Sequence, residues 1–122
     1  MLDSSGYLKI IDFDTACRID DSATMAEICG TEEYKAPEMF RCAGYDQGVD
    51  FWAIGILIYE MLFGRTPFHS PEISRVPDLI QSKNLEFPER CEVPYSLLLE
   101  DLITKLLIKS PFSRLGHQNG AQ

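Results

Sequence analysis

Apolar and polar positions follow three different patterns along the chain. Met1-Leu2 and Tyr7-Leu8-Lys9-Ile10-Ile11 flank the polar turn Asp3-Ser4-Ser5-Gly6, which predicts a short β-hairpin. Residues 12–35 hold no period, and Asp, Ser, Thr and Gly dominate their first half. They predict a loop long enough to be functional in a compact domain. Ala36-Pro37-Glu38-Met39-Phe40 predicts a short helix with Pro in its first turn. From Gly48 to Phe63 the chain is apolar nearly all round, so the spacing predicts a helix buried on every side. Gly64 closes it, with Pro67 beyond. Another helix is predicted over Asp78 to Ser82 with Pro77 at its first turn, and a third from about Ser96 to Ile108. The third carries Leu98, Leu102 and Leu106 on one face. Lys105 and Lys109 lie toward its C-terminal end, where the helix dipole favours cations.

These elements give a fold that is mainly α with a short β-hairpin. The first strand of the hairpin has only two residues, which suggests that something is missing upstream. A wholly buried helix is also left with few other elements to bury it. No internal repeat, low-complexity segment or linker interrupts the chain.

Composition narrows the class. The chain has 122 residues, room for one small domain and not two. Its 45% hydrophobic content excludes a disordered tail. Eleven Lys+Arg against 19 Asp+Glu give a net charge of −8. That balance argues against nucleic acid or an anionic membrane surface as partner. The run Phe51 to Phe63 is too short to span a bilayer and carries Glu60. No secretory signal follows Met1. Cys17, Cys29, Cys42 and Cys91 form no CxxC pair, and His69 and His117 are the two histidines. Such spacing makes a poor zinc site and reads as free thiols in a reducing compartment. An intracellular, cytoplasmic protein is expected.

Four motifs then fall in order: Asp12-Phe13-Asp14 after a strand, Gly30-Thr31-Glu32-Glu33-Tyr34-Lys35-Ala36-Pro37-Glu38 at the end of the loop, Asp50-Phe51-Trp52-Ala53-Ile54-Gly55 in the apolar helix, and Arg114-Leu115-Gly116 after the last helix. Together they resemble the lower part of the C-terminal lobe of a eukaryotic Ser/Thr protein kinase. Gly-Thr-x-Glu-Tyr and the terminal Arg-Leu-Gly are similar to the cyclic-nucleotide-dependent branch. The resemblance covers practically all of residues 1–122, as a partial kinase domain. It implies that the upper lobe, the ATP-anchoring Lys, and the catalytic loop with its base Asp and second metal-binding Asn all lie outside this chain. It therefore places no catalytic residue here.

The resemblance implies roles for individual residues. Asp12 matches the Asp that coordinates the Mg²⁺ bridging the ATP phosphates, so ATP and Mg are the implied cofactors. Its bland alternative is a solvated loop Asp. Asp14 stands where the family has Gly and adds a second negative charge beside the metal position. Glu27 sits where relatives carry a loop-ordering phosphothreonine, while Cys17 replaces the Lys past the metal motif. Gly30 and Thr31 match the segment beside the phosphorylated residue of the substrate, and Thr there implies Ser/Thr specificity. Glu32 and Lys35 break the pattern of the adjoining pocket. Glu60 matches a carboxylate that pairs with substrate Arg, against an internally satisfied helix Glu. Glu38 and Arg114 match a buried structural ion pair, and Asp50 matches a helix cap. By family, the function is ATP-dependent phosphoryl transfer to a Ser or Thr of a protein substrate, with a basic substrate or partner. By inventory, the chain alone is inactive. A non-catalytic kinase-like binding module and a poorly folding remnant are the alternatives.

Overall fold

A computed structural model describes residues 1–16, 30–41, 44–88 and 94–117. Its axis is helix α1 (Gly48–Phe63), at the bounds that the apolar run predicts. Gly64 ends it in the left-handed region at φ 69°, donating its N–H to the Glu60 carbonyl at 2.8 Å. A side chain would be strained at such a φ, so glycine is the natural stop. At the other end the cap differs from expectation. The Asp46 carboxylate accepts the Gly48 N–H at 2.8 Å. Asp50 lies inside the first turn and is exposed. A cap must precede the orphan N–H groups it accepts, and Asp50 comes after the first of them.

Helix α2 (Val76–Ser82) follows a 3₁₀ turn at Ile73–Arg75, and helix α3 (Leu97–Leu106) follows the N-cap Ser96. The Ser96 hydroxyl accepts the Leu99 N–H at 3.2 Å. Further 3₁₀ turns span Glu32–Tyr34, Pro37–Arg41 and Pro111–Ser113. The loop predicted over 12–35 thus ends in ordered structure, since the first of these turns docks on α1 and α2.

The core is built on one side of α1, from Trp52, Ile56 and Tyr59 with Phe68, Val76, Ile80, Ile103 and Leu107. Where α1 meets α3 the approach is close. A Cβ on Gly55 would stand 2.8 Å from Leu107 Cδ2 and 2.9 Å from Leu106 Cβ, inside any real carbon contact. At the centre runs a stack of four groups. The Arg114 guanidinium lies 5.1 Å from the Trp52 ring, Trp52 lies 5.8 Å from Phe68 at 10°, and Lys109 Nζ lies 4.4 Å from the Phe68 centroid. Cations on both outer faces suit the negative faces of the rings. Lys109 also donates to the Ile80 carbonyl near the end of α2. Burial, followed by the charge of Arg41, holds its amine down at about 8.

Three expectations are corrected. The N-terminal hairpin shrinks to a single antiparallel bridge between Leu2 and Leu8, with no strand among the described residues. Leu8 and Ile10 are 85% and 86% exposed, and a two-stranded ribbon without a covering layer is marginal. Helix α1 is not buried on every side, because Ile54, Leu57 and Met61 are exposed. Helix α3 buries Ile103 and Leu106 while Leu98 and Leu102 face outward. The close approach at Gly55 selects the face that can reach it.

These faces leave a broad apolar surface on the chain. Expressed alone, it is expected to bind a hydrophobic dye and to unfold over a wide temperature range, because such patches favour association. A sharp, cooperative melt without a dye signal would contradict this.

Candidate functional site

The N-terminal segment, the Gly30–Tyr34 stretch and the start of α1 enclose a cavity of about 450 Å³. Asp12, Thr15, Gly30, Thr31, Asp46 and Asp50 line it, together with Tyr34, Lys35 and apolar side chains. Four residues singled out from sequence, Asp12, Gly30, Thr31 and Asp50, thus share one space. Glu27 lies outside the described residues, as do all four cysteines.

Asp12 has φ 68°, the one positive φ at a non-glycine among the described residues. Left-handed backbone costs a side-chain-bearing residue on the order of 1–3 kcal/mol. Asp tolerates it better than most because its short side chain bonds locally. Asp14, where the resemblance sets Gly, does not share that backbone conformation. Any penalty at Asp14 is therefore one of charge. The strain sits instead on the residue matched to the metal ligand.

The stretch from Glu32 to Lys35 is pinned by acids. Lys35 Nζ, which is buried, donates to Glu32 Oε1 at 2.7 Å. The Thr66 hydroxyl donates to Glu33 Oε1 at 3.1 Å, and His69 Nδ1 lies 2.8 Å from the same oxygen. The Tyr34 hydroxyl donates to Glu60 Oε2. Glu60 therefore has an internal partner, and Tyr34 and Glu33, which sequence reasoning passed over, tie the segment to α1 and to the turn after it. Nothing in local sequence signals these bonds, since the partners are 26 and 33 residues apart.

Burial first, then the Glu60 hydrogen bond and the charges of Glu60 and Glu33, push the Tyr34 phenol from 10.0 up to about 12. A raised value means stability that is complete below pH 10 and lost as pH climbs through about 12. Wild type should exceed Tyr34→Phe in stability by a constant margin below pH 10. That margin should shrink between pH 10 and about 12, as read by urea unfolding at each pH. A margin that does not change over this window would count against the bond.

Glu38 and Arg114 lie apart from the cavity, in the core. Arg114 donates from Nη1 to Glu38 Oε1 at 2.6 Å and from Nη2 to Oε2 at 2.9 Å. Two carbonyls complete its shell, Gly48 O at 2.9 Å from Nη1 and Ile108 O at 3.0 Å from Nε. Beside it, His117 Nδ1 stands 3.4 Å from Asp46 Oδ2 without hydrogen-bond geometry.

Among the described residues no three His, Cys, Asp or Glu side chains are placed to hold a metal ion. Asp12 offers one carboxylate, whereas Mg²⁺ takes about six oxygens, some from water or substrate. The described residues therefore do not make a complete Mg²⁺ site by themselves. None of the described helices is long and apolar enough to cross a membrane.

The protein kinase domain family matches residues 1–122. The chain is 41% identical over 118 residues to human RAC-beta serine/threonine-protein kinase, covering 95% of this chain and 24% of that protein. It is 40% identical over 123 residues to a Caenorhabditis elegans protein named cAMP-dependent protein kinase, catalytic subunit-like, covering 100% of this chain and 29% of that protein. It is 41% identical over 122 residues to the Drosophila melanogaster cGMP-dependent protein kinase, isozyme 1, covering 98% of this chain and 15% of that protein. The chain thus spans between about a seventh and just under a third of the length of these relatives. With its motifs in the family's order and the family match extending from the first residue to the last, this chain belongs to the protein kinase domain family.

Proposed function

We propose that this chain is the portion of a Ser/Thr protein kinase that presents a metal-ligating aspartate and the substrate-facing segment, within an intracellular protein that transfers the γ-phosphoryl group of ATP to protein Ser or Thr. The observation that carries the reading is Asp12. It holds a costly left-handed backbone at the edge of a cavity that it shares with Gly30 and Thr31. Strain of that kind gathers at functional sites. When bound in the whole protein, Mg-ATP supplies the phosphoryl group. This chain's contribution is one carboxylate oxygen donor from Asp12 and a backbone path past Gly30 and Thr31 for the substrate. Phosphoryl transfer rests on positioning and charge stabilisation, and the ATP lysine and the base are not among these residues.

Incubated alone with Mg-ATP and a basic Ser peptide, the chain is expected to incorporate no phosphate. Transfer by the purified chain would overturn the assignment of roles.

A second reading, a kinase-like module that binds a protein partner without chemistry, draws support from Asp14. Its carboxylate adds one charge where a triphosphate must approach. Two like charges about 4 Å apart repel by about 1 kcal/mol in water and about 4 at an effective dielectric near 20. Asp14→Gly in a protein extended to include the catalytic loop should raise ATP affinity, by a factor between about five and a thousand. Unchanged or weaker binding would mean that Asp14 is tolerated, or is itself a ligand.

A further inference from the structure

A second cavity, of about 170 Å³, opens where the turn after α1 meets the segment after α2, and no residue lines both cavities. Its lining is unlike the chain as a whole. In a chain of net charge −8, this cavity gathers Arg65, His69 and Lys83 against a single carboxylate, Glu86. Lys83 Nζ lies 3.2 Å from Glu86 Oε2, and His69 is held by Glu33 from outside the cavity. Arg65 has no carboxylate partner among the described residues.

The walls strengthen that charge. Tyr59 and Phe87 form an aromatic side, their centroids 5.9 Å apart. The Tyr59 hydroxyl donates to the Glu86 carbonyl at 2.9 Å, which fixes the two sides of the cavity to each other. Burial raises the Tyr59 phenol, and the charge of Arg65 opposes the rise. Cations converging in a concave site attract an incoming anion, and here Arg65, His69 and Lys83 outnumber the one opposing carboxylate. A guanidinium beside an ammonium presents N–H donors that match the oxygens of a phosphoryl group.

We infer that the cavity bounded by Tyr59, Arg65 and Lys83 binds a phosphoryl group, with Arg65 as its principal ligand. The group comes either from free phosphate or from a phosphorylated side chain of a protein segment. The inference is independent of the phosphoryl-transfer reading, because phosphate held near Asp12 would not depend on Arg65.

The test uses the protein at its natural full length, titrated calorimetrically with inorganic phosphate and, separately, with a short neutral peptide carrying one phosphoserine. Saturable binding is expected. It should weaken about tenfold or more in Arg65→Gln and in Lys83→Gln, as loss of a charge-assisted hydrogen bond implies. Arg75→Gln removes an exposed arginine that lines neither cavity, and should bind as wild type does. The two cavity variants report separately, so a folding defect in one leaves the other to decide. Tighter binding of the peptide than of phosphate assigns the source to a phosphorylated segment, and equal binding assigns it to the free anion. Wild-type affinity in both cavity variants, an equal loss in Arg75→Gln, or no saturable binding of either probe would overturn the inference.

Discussion

Arg114→Met is expected to leave the chain largely unfolded. Removing one member of a buried ion pair costs about 3–5 kcal/mol because the remaining charge is stranded. A whole small domain has about 5–15 kcal/mol in total. Arg114 also satisfies the carbonyls of Gly48 and Ile108 and covers one face of Trp52. Met restores none of those hydrogen bonds. Glu38→Gln should therefore be milder than Arg114→Met, since the guanidinium keeps both carbonyls and the ring. The double variant with Leu at 38 should recover only part of the loss, because two buried carbonyls still lack donors. Urea unfolding followed by far-ultraviolet circular dichroism reads all three. Equal losses in the two single variants would mean that the carbonyl bonds contribute nothing.

Trp52→Ala should be comparably damaging, at about 3–5 kcal/mol for truncating a buried aromatic. The ring is fully buried and forms the middle of the stack from Arg114 to Lys109. Its loss removes packing and leaves the guanidinium facing a void. Trp52→Phe is expected to cost far less, for a specific reason. Among the described residues the indole Nε1 has no hydrogen-bond partner while buried, so replacement by Phe deletes an unsatisfied donor along with some volume. Thermal melts of the two variants should be well separated. Similar melts would show that the indole N–H matters more than its surroundings suggest.

What could be read from sequence followed the range of the interactions. The bounds of α1 were legible because the apolar run and Gly64 are local signals. The same holds for Pro77 in the first turn of α2, whereas Glu38 and Arg114, 76 residues apart, were paired by motif resemblance and by no local signal. The side of α1 that would be covered was not legible. An all-apolar helix has no polar face to mark the outside, so Ile54 and Met61 look no different from Ile56 in sequence. Asp50 resembles a cap, and the observed cap, Asp46, could be told only from where the first helical N–H lies. Around the cavity, Asp12, Gly30 and Thr31 were found by motif. The bond from Tyr34 to Glu60 and the grip of Glu33 on Thr66 and His69 were missed, because each depends on how the segment lies across α1. The left-handed backbone at Asp12 was missed for another reason, since an Asp in the motif carries no mark of its φ.

The contact at Gly55 governs how the helices can move. With the α1 backbone set directly against Leu106 Cβ and the Leu107 side chain, α3 sits in a notch rather than on a smooth face. Sliding along α1 would carry Leu106 Cβ off Gly55 and toward the side chains three and four residues away on the same face, Phe51, Trp52, Ile58 and Tyr59. Shear, the usual small adjustment between packed helices, is hindered at this contact, so the fit of α3 on α1 depends on the missing side chain at Gly55.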